Sequence, residues 1–187
     1  MPIPERVRVH APATLSNLGP GFDVLGLALN EPGDYVEAEW SDSPGVEIME
    51  VRGDDGQLNC DPTRNVVGIA ATAMLAAHDA DETTSRPPGV RLWLEKQMPL
   101  ASGLGSSAAS SVGGALAVNE LLGGALDRDQ LIVSALEGEQ AVSGGIHADN
   151  VVPCVTGGIV LIRSYSPMEL LSLPVPDALR VAVVHPH

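Results

Sequence analysis

Residues Pro99 to Ala109 read Pro-Leu-Ala-Ser-Gly-Leu-Gly-Ser-Ser-Ala-Ala and combine the residue types from which a phosphate cradle is made. Glycine at 103 and 105 lets the backbone take positive φ and approach a ligand with no Cβ in the way. Ser106 and Ser107 stand where a helix N-cap is preferred, with hydroxyls able to ligate an anion or its metal. The unpaired amides of a first helical turn and the positive end of its dipole would face a phosphate. The plainer reading is a glycine-rich turn capped by serine. A Walker loop is excluded because no lysine follows the glycines. The dinucleotide fingerprint fails at its third glycine, where Ala108 stands.

Two other stretches gather polar groups. Ala11 to Asp23 has two prolines and two glycines that fix its path, and places Thr14, Ser16, Asn17 and Asp23 where they could converge on a ligand. Ser143 to Gly158 is a second glycine-rich segment, with His147, Asp149 and Asn150 clustered in it. A zinc site there lacks the repeated His or Cys spacing such sites need. A Ser-His-Asp hydrolase lacks the Gly-x-Ser-x-Gly elbow. Taken alone, Asn65 reads as a helix cap and Glu139 as a solvated charge near a helix end.

The elements that must carry these groups follow from periodicity. Arg6 to Ala11 alternates and suits a half-buried strand. Tyr35–Trp40 and Val46–Val51 alternate around a turn-rich Ser-Asp-Ser-Pro-Gly and predict a hairpin or adjacent strands. Val66, Ile69, Ala70, Ala73, Met74 and Ala77 form one apolar helical face, with Thr63 or Asn65 near its start. A polar connection from His78 to Pro88 leads to a strand, Val90 to Lys96. The cradle and a small-residue helix, Ala108 to Leu122, come next. After the Gly123-Gly124 stop, a helix runs from about Asp129 to Ala141, and Ile159–Arg163 and Leu179–Val184 look like strands.

With 187 residues, 44% of them apolar, the chain can build one domain with a real core, or one domain plus the beginning of a second. Aromatic content of 3% leaves that core to Val, Leu, Ile and Ala. A net charge of −14, with Lys96 the sole lysine, argues against a nucleic-acid partner, which most of the surface would repel. Cys60 and Cys154 make no paired motif and read as packed thiols. No apolar run approaches the roughly 20 residues of a membrane helix, and no signal-like start is seen, so no membrane partner and a cytoplasmic location are expected.

The loop resembles the phosphate loop of the GHMP small-molecule kinases, Pro-x-x-x-Gly-Leu-Gly-Ser-Ser-Ala. Ala11 to Leu29 is similar to the amino-terminal signature of the homoserine kinases within that family, with Leu15 where a small residue is frequent. His147-Ala-Asp-Asn-Val-Val-Pro153 is similar to their His-x-Asp-Asn-Val-Ala-Pro segment, with Val152 replacing alanine. The resemblance implies an α+β fold of the ribosomal protein S5 domain 2-like kind, a mixed sheet with helices packed on one side. It implies ATP-dependent, Mg²⁺-requiring phosphorylation of L-homoserine. By resemblance Asn65 lies by the adenine, and Pro99, Leu100, Ala101, Ser102, Gly103, Leu104, Gly105, Ser106, Ser107, Ala108 and Ala109 hold the phosphates. Ser106 and Glu139 would be the metal ligands, Glu139 on the strength of its spacing of eight residues before His147. Asn17, Asp23, His147 and Asn150 would surround the alcohol. Asp23 and Glu139 are the candidate catalytic carboxylates, Asp23 first of all as a substrate contact. The alternatives are a nucleotide-binding fragment without turnover, or a kinase for another small alcohol such as mevalonate or shikimate. Residues 1–187 are expected to form the family's amino-terminal ATP-binding domain. The threonine- and arginine-containing carboxylate clamp and the ferredoxin-like carboxy-terminal domain would lie outside them. A homodimer is left open.

Overall fold

The computed structural model describes residues 4–80 and 86–184. Along the chain run β1 (Arg6–Ser16), β2 (Leu25–Ser41), β3 (Gly45–Arg52), α1 (Val66–Asp79), β4 (Gly89–Glu95) and α2 (Ser106–Leu121). α3 (Arg128–Ser143), α4 (Ala148–Thr156), β5 (Ile159–Tyr165) and β6 (Met168–Leu173) follow. Alternation sets the sheet's two faces. Val9, Ala11 and Ala13 of β1, Val36 and Ala38 of β2, and Val90, Leu92 and Leu94 of β4 are all buried. They lie under the helices, so the expected arrangement with helices on one side holds. The residues between them face outward as a lattice of ion pairs, Arg6–Glu37 at 2.6 Å and Arg8–Glu95 at 2.9 Å among them. Arg6 and Arg8 also stack over Trp93 and Tyr35.

Among the described residues the strands form one six-stranded mixed sheet in the order β3-β4-β2-β5-β6, with β1 paired to β2. All pairings are antiparallel except β3 with β4. The expectation that Tyr35–Trp40 and Val46–Val51 are neighbours is overturned, because β4 lies between them. β4 buries its whole apolar face and takes a central place. A parallel partner on one side then requires a crossover, which α1 supplies. The expected long loop from Ala11 is also shorter than read. Thr14 to Ser16 belong to β1 and pair with Gly26 to Ala28 of β2, leaving 17–24 as the turn.

Leu179–Val184 is not a strand; the strand after β5 is β6, which pairs with it antiparallel. Side-chain alternation alone does not make a strand, and no ladder partner meets 179–184 among the described residues. α4 is a helix that the glycine-rich composition of 143–158 concealed, and Pro153 lies inside it. Proline removes the amide that would bond the carbonyl four residues earlier. That carbonyl belongs to Asp149, and β2 passes against it at Gly26, where a Cβ would fall 1.9 Å from the oxygen. Of the expected connection from His78 to Pro88, residues 81–85 lie outside the described ones.

α1 begins where expected. Asn65 is its N-cap in extended backbone, accepting from the Val67 amide at 3.2 Å. α3 opens with a full capping box between Asp127 and Gln130. α2 crosses between the sheet and its fellow helices at a distance only small residues permit. A Cβ on Gly113 would meet Val36 Cγ2 at 2.6 Å, and one on Gly114 would meet the Val67 carbonyl oxygen at 2.3 Å. Gly114→Ala is therefore expected to lower stability by about 1–3 kcal/mol, the cost of overpacking a filled interface. Urea unfolding checks it, and an unchanged midpoint would mean that α1 and α2 can part without loss.

Candidate active site

The phosphate-loop candidate spans the gap between the end of β4 and the start of α2. Gly105, at φ 63°, is the N-cap of α2. The cap was expected at Ser106 or Ser107; instead both serines are the first helical residues and no side chain caps the turn. A left-handed N-cap lets the chain enter the helix sharply, which leaves the first-turn amides without side-chain partners. Ala101 and Gly103 are also left-handed, at φ 55° and 75°, and nothing lies within 4 Å of the space a Cβ on Gly103 would take. A non-glycine residue in this region stores strain, and such strain collects at binding sites.

A pocket of about 280 Å³ opens over this loop. Leu100 to Gly103 and Gly105 to Ser107 line one side, and Leu58, Asn59, Arg64, Asn65 and Val66 the side by α1. The hydroxyls of Ser102 and Ser106 are buried and have no hydrogen-bond partner among the described residues. Buried hydroxyls without partners are costly, and a ligand oxygen or a cation supplies what is missing. Asn65 uses its side chain twice, capping α1 and donating to the Asn59 carbonyl at 2.8 Å, so it fixes the pocket wall. Not every expected loop residue faces the pocket. Leu104, Ala108 and Ala109 turn their side chains into the core, and Pro99 is exposed outside the lining. The apolar residues of the motif thus anchor the loop, while its glycines and serines face the cavity.

Glu139 is a departure from the solvated charge its position suggests. It is 1% exposed and accepts a hydrogen bond from Ser107 Oγ at 3.1 Å. Burial pushes its pKa above the ordinary glutamate value; the Ser107 bond and the charges of His147 and Lys96 act the other way. Glu139 therefore meets the start of α2 at Ser107, the residue next to Ser106.

On the loop's other flank, the amide of Thr14 donates to the Leu104 carbonyl at 3.0 Å, and Thr14 Oγ1 donates to Asn150 Oδ1 at 2.9 Å. A Cβ on Gly105 would lie 2.1 Å from Thr14 Oγ1 and 2.9 Å from Asn150 Oδ1. Gly105 is thus the junction between the phosphate loop and the polar groups of β1 and α4. Asn17 and Asp23, at φ 69° and 59°, are held together by the Asp23 amide, which donates to Asn17 Oδ1 at 3.0 Å. Tyr165 Oη donates to the Asp23 carbonyl. Asp149 lies close enough to Asp23 and His147 to feel their charges. Its pKa is raised, first by burial and then by Asp23. His147 is the exposed N-cap residue of α4. Of the four expected alcohol-side residues, Asn150 lies against the loop at Gly105, while Asn17 and Asp23 share a turn and His147 and Asp23 lie within charge range of Asp149.

Sequence reasoning missed several members. Thr14 stood among the polar residues of its segment without a role, and Tyr165, Asp34, Ser110 and Lys96 were not singled out as site residues. A signal for Lys96 existed: the sole lysine lies three residues before Pro99.

Comparison with known proteins decides the family. The model of the GHMP kinases N-terminal domain matches residues 65–158. The chain belongs to the GHMP kinase family. It is 41% identical over 186 residues to a homoserine kinase of Chlorobium phaeobacteroides, covering 97% of this chain and 58% of that protein. The crystal structure of homoserine kinase from Cytophaga hutchinsonii superimposes with a TM-score of 0.85 at 45% identity, covering 94% of this chain and 54% of that one. A Methanococcus jannaschii mevalonate kinase, at 16% identity and a TM-score of 0.68, shares the fold. The chain thus spans little more than half the length of these relatives. Within it, the stretch 99–109 leads into a helix packed on a mixed sheet.

Gly105→Ala tests the junction. The new methyl would displace Thr14 from Asn150 and hold an unfavourable φ, with an expected loss of about 1–3 kcal/mol in stability. Thermal unfolding reads the loss of stability, and nucleotide titration is expected to show weaker binding as the loop shifts. A variant with parental values in both would show that the loop and the β1–α4 cluster do not share this contact.

Proposed function

We propose that this chain carries the nucleotide site of a kinase that transfers the γ-phosphoryl group of ATP to the hydroxyl of L-homoserine, with Mg²⁺ required. The observation that carries the reading is the set of groups around Gly105. A glycine backbone and a buried Ser106 hydroxyl without a partner among the described residues adjoin Ser107 and its buried partner Glu139 on one flank and Thr14 with Asn150 on the other. The donor set fits Mg²⁺, a hard cation that takes carboxylate, hydroxyl and phosphate oxygens and few dedicated protein ligands. Ser106 and Glu139 would hold it. Bound with the nucleotide, the ion supplies charge neutralisation on the phosphate oxygens.

The protein's own part is to bind and orient. The amides of 103–107 hold the phosphates at a helix start, where backbone N–H groups and the dipole favour an anion. Asn17, Asp23, His147 and Asn150 hold the acceptor amino acid with its hydroxyl toward the loop. Asp23 serves as a substrate contact, its backbone fixed by the amide that donates to Asn17 Oδ1. Transfer through a loose transition state rests on positioning and charge stabilisation more than on proton abstraction. Identities near 40% to homoserine kinases over nearly the whole chain support this acceptor over other small alcohols.

A substrate panel run on the full-length protein with MgATP is expected to give its highest kcat/KM with L-homoserine. Preference for mevalonate or another alcohol without an amino-acid group overturns the assignment.

Ser106→Ala and Glu139→Gln are each expected to weaken Mg-nucleotide binding roughly tenfold or more, by removing an oxygen from the cation. The metal dependence of calorimetric titrations reads this out. If both variants keep the parental dependence, the two residues only shape the loop.

A further inference from the structure

The sole lysine of the chain is buried directly beneath the phosphate loop, with its side chain 1% exposed. Its ammonium group donates to the Asp34 carboxylate, to the Ser106 carbonyl at 2.8 Å and to Ser110 Oγ at 2.8 Å. An ammonium has three donors, and these contacts use them all. Asp34, whose side chain is fully buried, also accepts from the Gln97 amide at 3.0 Å and from Ser110 Oγ at 3.2 Å. The network therefore joins β2 through Asp34, the end of β4 through Lys96 and Gln97, and the first turn of α2 through Ser106 and Ser110. Lys96 and Ser110 both line the loop pocket.

We propose that Lys96 is a positioning residue for the phosphate site, a clamp that fixes the Ser106 backbone so that its hydroxyl and the first-turn amides face the pocket. It is not a phosphate ligand. The inference rests on the kinase reading above. In a Walker loop the lysine follows the glycines and reaches the phosphates with its charge. Here the lysine precedes the loop, and its donors are spent on the protein. Ser106 links the two roles, since its carbonyl takes the lysine while its hydroxyl has no partner among the described residues. Stability alone does not account for the pair. Burying an ion pair costs desolvation that its attraction only repays, and apolar replacement of both partners is frequently neutral. What the pair adds is one fixed direction for the helix start, which an apolar contact would not set.

Lys96→Met alone strands a buried aspartate, so the test uses Asp34→Asn/Lys96→Met beside the parent protein. Thermal unfolding monitors the fold, and calorimetry measures MgATP and MgADP binding. The double variant is expected to unfold cooperatively near the parental midpoint and to bind both nucleotides about 10- to 100-fold more weakly, as loss of a group that orients a ligating residue does. Parental affinity for both nucleotides in the folded double variant overturns the inference. So does a loss confined to MgATP, which would make Lys96 a γ-phosphate ligand. If the double variant does not fold, Ser110→Ala carries the test, since it keeps the charge pair and removes one partner of the lysine. It is expected to weaken both nucleotides by roughly 2- to 10-fold at an unchanged midpoint, and unchanged affinity overturns the inference. A parent protein that binds neither nucleotide fails the kinase reading itself, and this inference with it.

Discussion

Everything at the site depends on how closely α2 can lie against its neighbours. Three glycines make the contact possible. Gly113 faces Val36 of the sheet, Gly114 faces the backbone of α1 at Val67, and Gly138 of α3 faces Ser111 of α2. Ala108, Ala109, Ala115 and Ala117 continue the same thin surface and are buried to 1% exposure or less. A helix held on three sides cannot tilt, so its first turn has one position relative to β4. The low aromatic content of the chain follows from this geometry, because large rings would hold the layers apart. The energetic return is dense packing of Val, Leu and Ala side chains, which is what stabilises a protein interior.

The parts of this arrangement that rest on local pattern could be read from the sequence. Alternation in 6–11 and 90–96 found two strands, the apolar face of 66–77 found a helix, and Asn65 and the Gly123-Gly124 stop marked ends correctly. The glycine and serine residues of 99–109 announced the loop because their conformational freedom is a property of the residues themselves. Strand order was not legible. Nothing in Val46–Val51 says that its partner lies beyond a helix, since register and neighbour choice come from burial that only the assembled sheet defines. α4 was hidden by Pro153 and the flanking glycines, which weaken a helix yet are tolerated where β2 needs room at Gly26.

The missed site residues share one cause, which is sequence distance. Lys96 and Asp34 are 62 positions apart, Thr14 and Asn150 are 136, and Tyr165 and Asp23 are 142. Each pair is made by the assembled fold, Lys96–Asp34 between the end of β4 and β2, Thr14–Asn150 between β1 and α4, and Tyr165–Asp23 between β5 and the turn that follows β1. The family resemblance named Asn17, Asp23, His147 and Asn150, but it said nothing of the groups that hold them. Those holding groups carry the geometry. Tyr165 fixes the backbone at Asp23, Thr14 fixes Asn150, and Ser107 meets Glu139.

For the proposed function an acidic protein must take up a polyphosphate, and the structure shows how its charges are spent. The arginines at 6, 8, 52 and 91 are tied to glutamates on the open face of the sheet, away from the loop. Lys96 is neutralised by Asp34 beneath it. Among the described residues, Lys96 and Arg64 are the cations that line the loop pocket, and Arg64 is exposed. A phosphate chain there would meet mainly backbone amides, whose partial charges act at short range and do not depend on the net charge of the surface. Glu139 adds a buried negative group whose own ionisation burial opposes. A carboxylate in that position is unfavourable beside an anion and favourable beside a cation, which fits the metal-bound nucleotide of the proposed reaction. On that proposal, preference for the metal-bound nucleotide over the free one would rest on a single buried carboxylate rather than on any lysine.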